Sequence, residues 1–421
     1  MATSTIAIII TSLSIICFIT RVIPVPVAAL GAALAMGIFK VVSFPEAFSG
    51  FSSDMAMMVM GSEVVGAAIF QTGAAHRIGR WIIRVTEANE KEFMLYCAIV
   101  AAISAAFASN LATVVIMMPM VAAAASVSNG AIKKKNVFMC MGFASMIGGS
   151  LTLVGSFPNL IGQAFLIEFG MVPMGFWDIT WFAIPRFLIF LLFYGTIGYR
   201  LQKRVFDFHE KPANGEPAIK SRKPVPAWKT WMPVALIVVM TVGFSIDVWT
   251  PGAVAMAAAL FCIGTGCISL RTVFAEMDWS TLWILAGGLG IAAGLSQSGA
   301  GSILSNSILY LFGSEISFFK LISIFSLIGF ILSNAITPAT VMTILAPIAL
   351  SICKELGYDG RGMVMSLVMS LNLSFISPYA TAPITVTMQG GYRFSDYVKV
   401  GGLVAVLMFV VTLASFYIAY G

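Results

Sequence analysis

Apolar runs of membrane-spanning length recur along this chain, and no other feature constrains its fold as strongly. A helix needs about 20 apolar residues to cross the hydrocarbon core of a bilayer. Segments of that kind cover residues 5–20, 25–42, 55–72, 176–199, 230–247, 251–270, 280–297 and 400–420. Only 10% of the 421 residues are charged, too few to coat a water-soluble surface, for which about 25% is usual. The chain reads as an all-α polytopic membrane protein, which excludes most soluble enzymes. Its net charge of +6 reflects Lys and Arg on cytoplasmic loops. No basic stripe interleaves with aromatics, so nucleic acid is excluded as a partner. The run at 5–20 has no Lys or Arg before it and a second run soon after it, so it reads as the first span and not as a cleaved leader.

Four regions depart from simple spans. Residues 136–167 and 362–390 are too long for one straight crossing and carry Gly or Pro near the middle, which predicts broken helices. Residues 93–128 and 318–352 are apolar with a polar centre, the pattern of a re-entrant hairpin. With 73–92 inside and both hairpins returning to their own side, 19 of the 24 Lys and Arg fall inside. Lys40, Arg186, Lys320, Lys354 and Arg361 fall outside. This layout puts both termini outside a bacterial inner or plasma membrane. The one long polar stretch, 201–229, holds Pro212, Pro217, Pro224 and Pro226 and reads as a cytoplasmic linker between two halves.

The halves repeat each other. GSEVVGAAIFQTGA (61–74) matches GGLGIAAGLSQSGA (287–300) at an offset of 226. Ser109-Asn110 matches Ser333-Asn334 at 224, and Gly155-Ser156-Phe157-Pro158 matches Ala380-Thr381-Ala382-Pro383 at 225. Three matches in one order at nearly one offset indicate an internal repeat. The first hairpin opens from inside and the second from outside, so the repeats are inverted, as in secondary transporters.

The hairpin tips are the first candidate site. A Ser-Asn pair in a buried apolar segment needs partners; its oxygens and freed backbone carbonyls suit a hard cation such as Na⁺. The breaks SLTLVGSFPN (150–159) and SFISPYATAPIT (374–385) are the second. Each break offers open carbonyls to a cation and helix N-termini to an anion. Glu63 is the one mid-span carboxylate and a possible proton site; its repeat counterpart is Leu289. The six cysteines are scattered without a CxxC pair, and His76 and His209 are the only histidines, so neither a redox pair nor a His-based metal site is expected. Residues 74–92 mix charge with Ile and Trp and predict an interfacial amphipathic helix. No clustered carboxylates or nucleophile–base pair mark an enzyme.

With these motifs the chain resembles the divalent anion/sodium symporter (DASS) family of the ion transporter superfamily over roughly residues 55–420. The family's SNT tips are SNL (109–111) and SNA (333–335) here, and its T-P-P-type breaks are GSFPN (155–159) and ATAP (380–383). DWSTLWILAGGLGIAAGLSQSGA (278–300) and SPYATAPITVTMQGGYRFSDYVKVGG (377–402) also look like family segments. The resemblance implies an elevator-type homodimer without a cofactor beyond coupling Na⁺. It divides the chain into scaffold (1–92 and 230–317, each with an interfacial helix) and transport parts (93–200 and 318–421), joined by the 201–229 linker. It implies cation binding by Ser109, Asn110, Gly155, Ser333, Asn334 and Ala380. It places the substrate among Asn110, Ser156, Pro158, Asn159, Asn334, Thr381 and Pro383. The expected function is Na⁺-coupled uptake of a small anion: a dicarboxylate, sulfate or related organic anion. The alternatives are a proton-coupled carrier, an anion exchanger or an arsenite-type permease. The Thr of each SNT tip is replaced, by Leu111 and Ala335, which points to a smaller or more apolar anion.

Overall fold

The computed structural model describes residues 3–20, 22–73, 89–128, 130–208, 226–246, 249–300, 303 and 316–421. The bulk of both expected interfacial helices (74–88 and 304–315), both histidines and most of the linker (209–225) lie outside the described residues. The principal helices are α1 (Thr3–Thr20), α2 (Val25–Ile38), α3 (Asp54–Gln71), α4 (Glu90–Phe107), α5 (Asn110–Val127), α6 (Phe138–Gly148), α7 (Phe157–Glu168) and α8 (Thr180–Phe193). They continue as α9 (Ala227–Ile246), α10 (Pro251–Gly264), α11 (Trp279–Gln297), α12 (Phe318–Ser333), α13 (Pro338–Leu356), α14 (Gly360–Leu371), α15 (Ala382–Thr387) and α16 (Gly402–Tyr420). Among the described residues, six helices are long and apolar enough to cross a membrane. They leave large apolar side chains exposed, such as Leu13 on α1, Val239 on α9 and Ile418 on α16, as lipid-facing surfaces do.

The repeat is built into the packing. Helix α2 lies along α11, and α10 lies along α3, so each half lends its second helix to the other's third. Gly61 on α3 meets Ala255 on α10, where a Cβ would fall 2.4 Å from the Ala255 carbonyl carbon. Gly287 on α11 meets Ala29 on α2, where a Cβ would fall 2.5 Å from the Ala29 carbonyl carbon. Both residues of the second contact are offset by 226 from their counterparts in the first. Small residues at such crossings let backbones touch, which drives helix association in lipid.

The other helices pair around the breaks. Helix α4 runs beside α6, and α12 beside α14. Helix α6 ends at Gly148, and α7 restarts with Ser156 as N-cap and Pro158 in its first turn. Helix α14 ends at Leu371, and α15 restarts with Thr381 as N-cap and Pro383 in its first turn. Proline suits the first turn because its missing N–H has no helical acceptor there. The non-helical backbone of the first break is satisfied internally, as its depth requires. Asn159 Nδ2 donates to Gly149 O (3.0 Å) and Thr152 O (2.8 Å), and Thr152 Oγ1 donates to Ala106 O.

The two hairpin tips differ. Helix α5 starts at Asn110 with Ser109 as N-cap. In the second tip α12 runs on to Ser333, Asn334 is its C-cap, and α13 starts only at Pro338 with Thr337 as N-cap. Ala112-Thr113-Val114 matches Ala339-Thr340-Val341 at an offset of 227, so the second tip carries three extra residues after its Ser-Asn pair. Those residues move the helix start away from Asn334.

Arg186 corrects the sequence reading. The topology count scored it as an outside charge, although it falls within the 176–199 span. It lies in the middle of α8 and is completely buried.

Candidate functional site

Four helix starts converge on one cavity of about 890 Å³. Ser109, Ser156, Thr337 and Thr381, the N-caps of α5, α7, α13 and α15, all line it. The last helix is short, but α5, α7 and α13 run for 18, 12 and 19 residues. Each helix N-terminus carries about half a positive charge from its unpaired N–H groups. Among the described residues the lining includes no Lys, Arg or His, so there the helix N-termini supply the positive potential.

Glu63, Glu276 and Asp278 line the same cavity. Glu63 Oε2 accepts from the Asp278 backbone N (3.0 Å). Thr281 Oγ1 donates to Asp278 Oδ2 (2.6 Å), and Gln71 Nε2 to Glu276 Oε1 (3.0 Å). One wall of the cavity, on the α3 and α11 side, is therefore acidic.

Beside the α5 start, oxygens gather around Asn110. The carbonyls of Ser145, in the last turn of α6, and Gly155, in the break, face the end of its amide. With nitrogen turned toward them, the amide donates at 3.1 Å and 3.3 Å. With oxygen turned toward them, three oxygens would meet, of which Ser145 O already accepts from Gly149 N (2.9 Å), an arrangement that a bound cation would resolve. Unwound carbonyls at a half-helix C-terminus are the kind of group that holds Na⁺ in broken-helix sites. The donor set of the first repeat fits Na⁺.

The second repeat does not offer the same set. Asn334 Nδ2 donates to Phe330 O (2.8 Å), and its Oδ1 accepts from Ile376 N (2.9 Å). Ser333 is buried and donates to Phe330 O (3.0 Å). Ala380 is buried as well. None of the three lines the cavity.

Of the residues singled out from sequence, the structure brings Glu63, Ser109, Asn110, Gly155, Ser156, Pro158, Thr381 and Pro383 to the cavity. Asn159 is fully buried and holds the first break together. Sequence reasoning passed over Asn372, a buried amide that joins the two breaks. It accepts from Ser156 Oγ (2.9 Å) and donates to Ser150 Oγ (2.9 Å). An amide in the apolar run MSLNLSF (369–375) was the signal for it. It also passed over Thr337, whose signal was the Thr-Pro pair three residues past Asn334, and the acidic wall at Glu276 and Asp278.

Known proteins share this architecture. A model of the citrate transporter family matches residues 15–313, and one of the sodium:sulfate symporter transmembrane region matches residues 226–420. An uncharacterized transporter of Haemophilus influenzae is 26% identical over 402 residues, covering 90% of this chain and 83% of that protein. The sodium-dependent dicarboxylate transporter SdcS of Staphylococcus saprophyticus is 24% identical, covering 95% and 83%. The solved structure of Neisseria gonorrhoeae MtrF, described among antimetabolite efflux pumps, superposes with a TM-score of 0.62 at 14% identity, covering 99% of this chain and 95% of that one. That last likeness is one of fold.

Proposed function

This chain belongs to the citrate transporter family, in the DASS group of the ion transporter superfamily, and is a multi-pass membrane transporter, not an enzyme; from that premise we propose that it couples Na⁺ entry to uptake of a small anion. The observation that carries the anion is the convergence of four N-caps on one cavity that has no basic side chain among the described residues. Helix N-termini bind carboxylates and oxyanions through open N–H groups. The cation belongs at Asn110 Oδ1, Ser145 O and Gly155 O, with Ser109 at the same tip. Gly155 O and the N-cap Ser156 are adjacent in the chain, so cation and anion share one short backbone segment. A cation that orders this segment prepares the anion site, and the coupling is reciprocal in affinity. The acidic wall draws the cation in first.

The sodium dependence and dicarboxylate specificity in the name of the Staphylococcus relative support the same substrate class. Leu111, exposed to the cavity where a hydroxyl would otherwise stand, favours an anion with an apolar portion. The helices around the breaks, α4–α8 and α12–α16, form the moving part of a homodimeric elevator, and α1–α3 with α9–α11 form its scaffold.

Thermal unfolding of the purified protein in Na⁺ or K⁺, each with a panel of carboxylates and sulfate, tests the proposal. A ligand specific for the folded state adds about 2.7 kcal/mol at a hundredfold its Kd. The expected result is stabilisation by Na⁺ and not K⁺, with one anion class acting more strongly when Na⁺ is present. Stabilisation by an anion alone, indifferent to Na⁺, would overturn the coupling.

A further inference from the structure

The two helices that end at the breaks, α6 and α14, carry different C-caps, Gly149 and Asn372. A Cβ at Gly149 would fall 2.7 Å from Asn110 Oδ1, 2.8 Å from its Nδ2 and 2.9 Å from Gly155 O. A bare glycine thus lets the tip amide and the break close on the first cap. The second cap has an amide, and that amide crosses to the first repeat. Asn372 Nδ2 donates to Val368 O (3.1 Å), in its own helix, and to Ser150 Oγ (2.9 Å). Its Oδ1 accepts from Ser156 Oγ (2.9 Å). A carbonyl can only accept, so Val368 O fixes which end of the amide is nitrogen, and both amide hydrogens are used.

Ser150 and Ser156 are the two ends of the first break, and both are buried with Asn372. Each sits next to an anchor of the proposed cation site. Gly155, whose carbonyl faces Asn110, precedes Ser156. Gly149, whose N–H holds Ser145 O (2.9 Å), precedes Ser150. Asn159 ties Gly149 O and Thr152 O from within the repeat, whereas Asn372 ties the two ends of the break to each other from outside it. Ser156 makes no capping bond with its own helix, unlike Thr337, which accepts from Thr340 N (3.4 Å). Its hydroxyl is committed to Asn372 instead. A binding site keeps its geometry only when the groups behind its ligands are locked by hydrogen bonds and packing.

We propose that Asn372 sets the ion preference of the first-repeat cation site. By pinning Ser150 and Ser156 it holds Ser145 O and Gly155 O at a separation fitted to Na⁺, and it does so from the other repeat. The inference rests on the cation-coupled reading above and names what makes that site selective. Asn372 is a positioning residue in this scheme, acting on the ion through the break. Loss of the clasp lets the two carbonyls spread, which costs affinity for Na⁺ and admits the larger K⁺ more readily.

The test is a titration of thermal stability with Na⁺ and with K⁺, at ionic strength held constant with choline, on the full chain. Each variant's shift is read against its own ion-free baseline, which separates ion binding from a general loss of stability. Asn372→Ala is expected to weaken Na⁺ by about tenfold or more and to shrink the Na⁺ over K⁺ ratio. Ser150→Ala, which cuts one of the two tethers, is expected to shrink the ratio by less. In a Ser150→Ala/Ser156→Ala background Asn372→Ala is expected to change the ratio no further, because the tethers are already gone. A folded Asn372→Ala that keeps the wild-type Na⁺ affinity and ratio within about twofold, below 0.5 kcal/mol, would reduce Asn372 to a structural role and overturn the inference. So would an equal effect of Asn372→Ala in the two backgrounds. If Asn372→Ala does not fold, Ser150→Ala carries the test, and an unchanged ratio there overturns the inference. A wild type that ignores Na⁺, or responds alike to K⁺, would defeat the cation reading itself, and this inference with it.

Discussion

Gly155→Ala probes the proposed cation site at its tightest point. Gly155 is not among the residues with left-handed backbone, so its requirement is for space. A Cβ there would lie 2.7 Å from Gly149 O, 2.9 Å from Ala105 O and 3.0 Å from Gly149 Cα. Ordinary contact begins at 3.4 Å, which leaves the closest approach short by 0.7 Å. All three neighbours are backbone, so no side chain can rotate away. Overpacking of this kind destabilises by about 1–3 kcal/mol. The Gly155 carbonyl is one of the three oxygens at the site, and relief of the clash displaces it. Strain falling wholly on the cation-bound arrangement lowers Na⁺ affinity by about 5- to 150-fold. The assay is a Na⁺ titration of thermal stability, with Gly402→Ala as control. A Cβ at Gly402 meets nothing within 4 Å, and alanine in a helix gains about 0.5–1 kcal/mol over glycine. If Gly155→Ala binds Na⁺ within about twofold of wild type, below 0.5 kcal/mol, the carbonyl is not a ligand. If Gly402→Ala is equally damaged, the local steric argument fails.

Three further outcomes follow from the geometry. Arg186→Met should raise stability by about 1–3 kcal/mol, because removing the three unsatisfied buried N–H bonds of Nε and Nη2 outweighs the lost bond to Met369 O; reversible unfolding in mixed micelles measures it, and a large loss would mean that the guanidinium is fully satisfied. Leu111→Thr restores a hydroxyl at the α5 start and should tighten a dicarboxylate by about 2- to 10-fold; no gain for any carboxylate in competition binding would place the anion elsewhere. Glu63→Gln keeps an oxygen for the Asp278 N–H and should leave Na⁺-driven uptake into proteoliposomes intact; abolished uptake would transfer the coupling role to a proton on Glu63.

Much of the fold was legible in the chain because its causes are local or periodic. Length and apolarity define each span, whatever its neighbours. Proline and glycine mark the breaks at 149–156 and 372–381, because a missing N–H interrupts a helix at a definite residue. The repeat predicted which helices are related, and the crossed contacts of Gly61 with Ala255 and Gly287 with Ala29 carry that relation into three dimensions. Ser109, Asn110, Gly155 and Ser156 were grouped through the family resemblance, and the structure brings all four to one cavity.

The two Ser-Asn pairs look alike as sequence, and the tertiary structure makes them different. Three extra residues after Asn334 move the helix start to Thr337-Pro338, so the first pair begins a helix and the second ends one. Which oxygen an amide meets depends on what another helix presents across space, and adjacent residues do not encode that. The same holds for Arg186: its neighbours in the chain are those of an ordinary span, while its partner, Met369 O, is 183 residues away. Sequence alone determined an inverted-repeat transporter with two tips and two breaks. Only the packing of α5, α6, α8, α12 and α14 decided that Asn110 faces the Ser145 and Gly155 carbonyls, that Asn334 binds Phe330 O and Ile376 N, and that Arg186 reaches Met369 O.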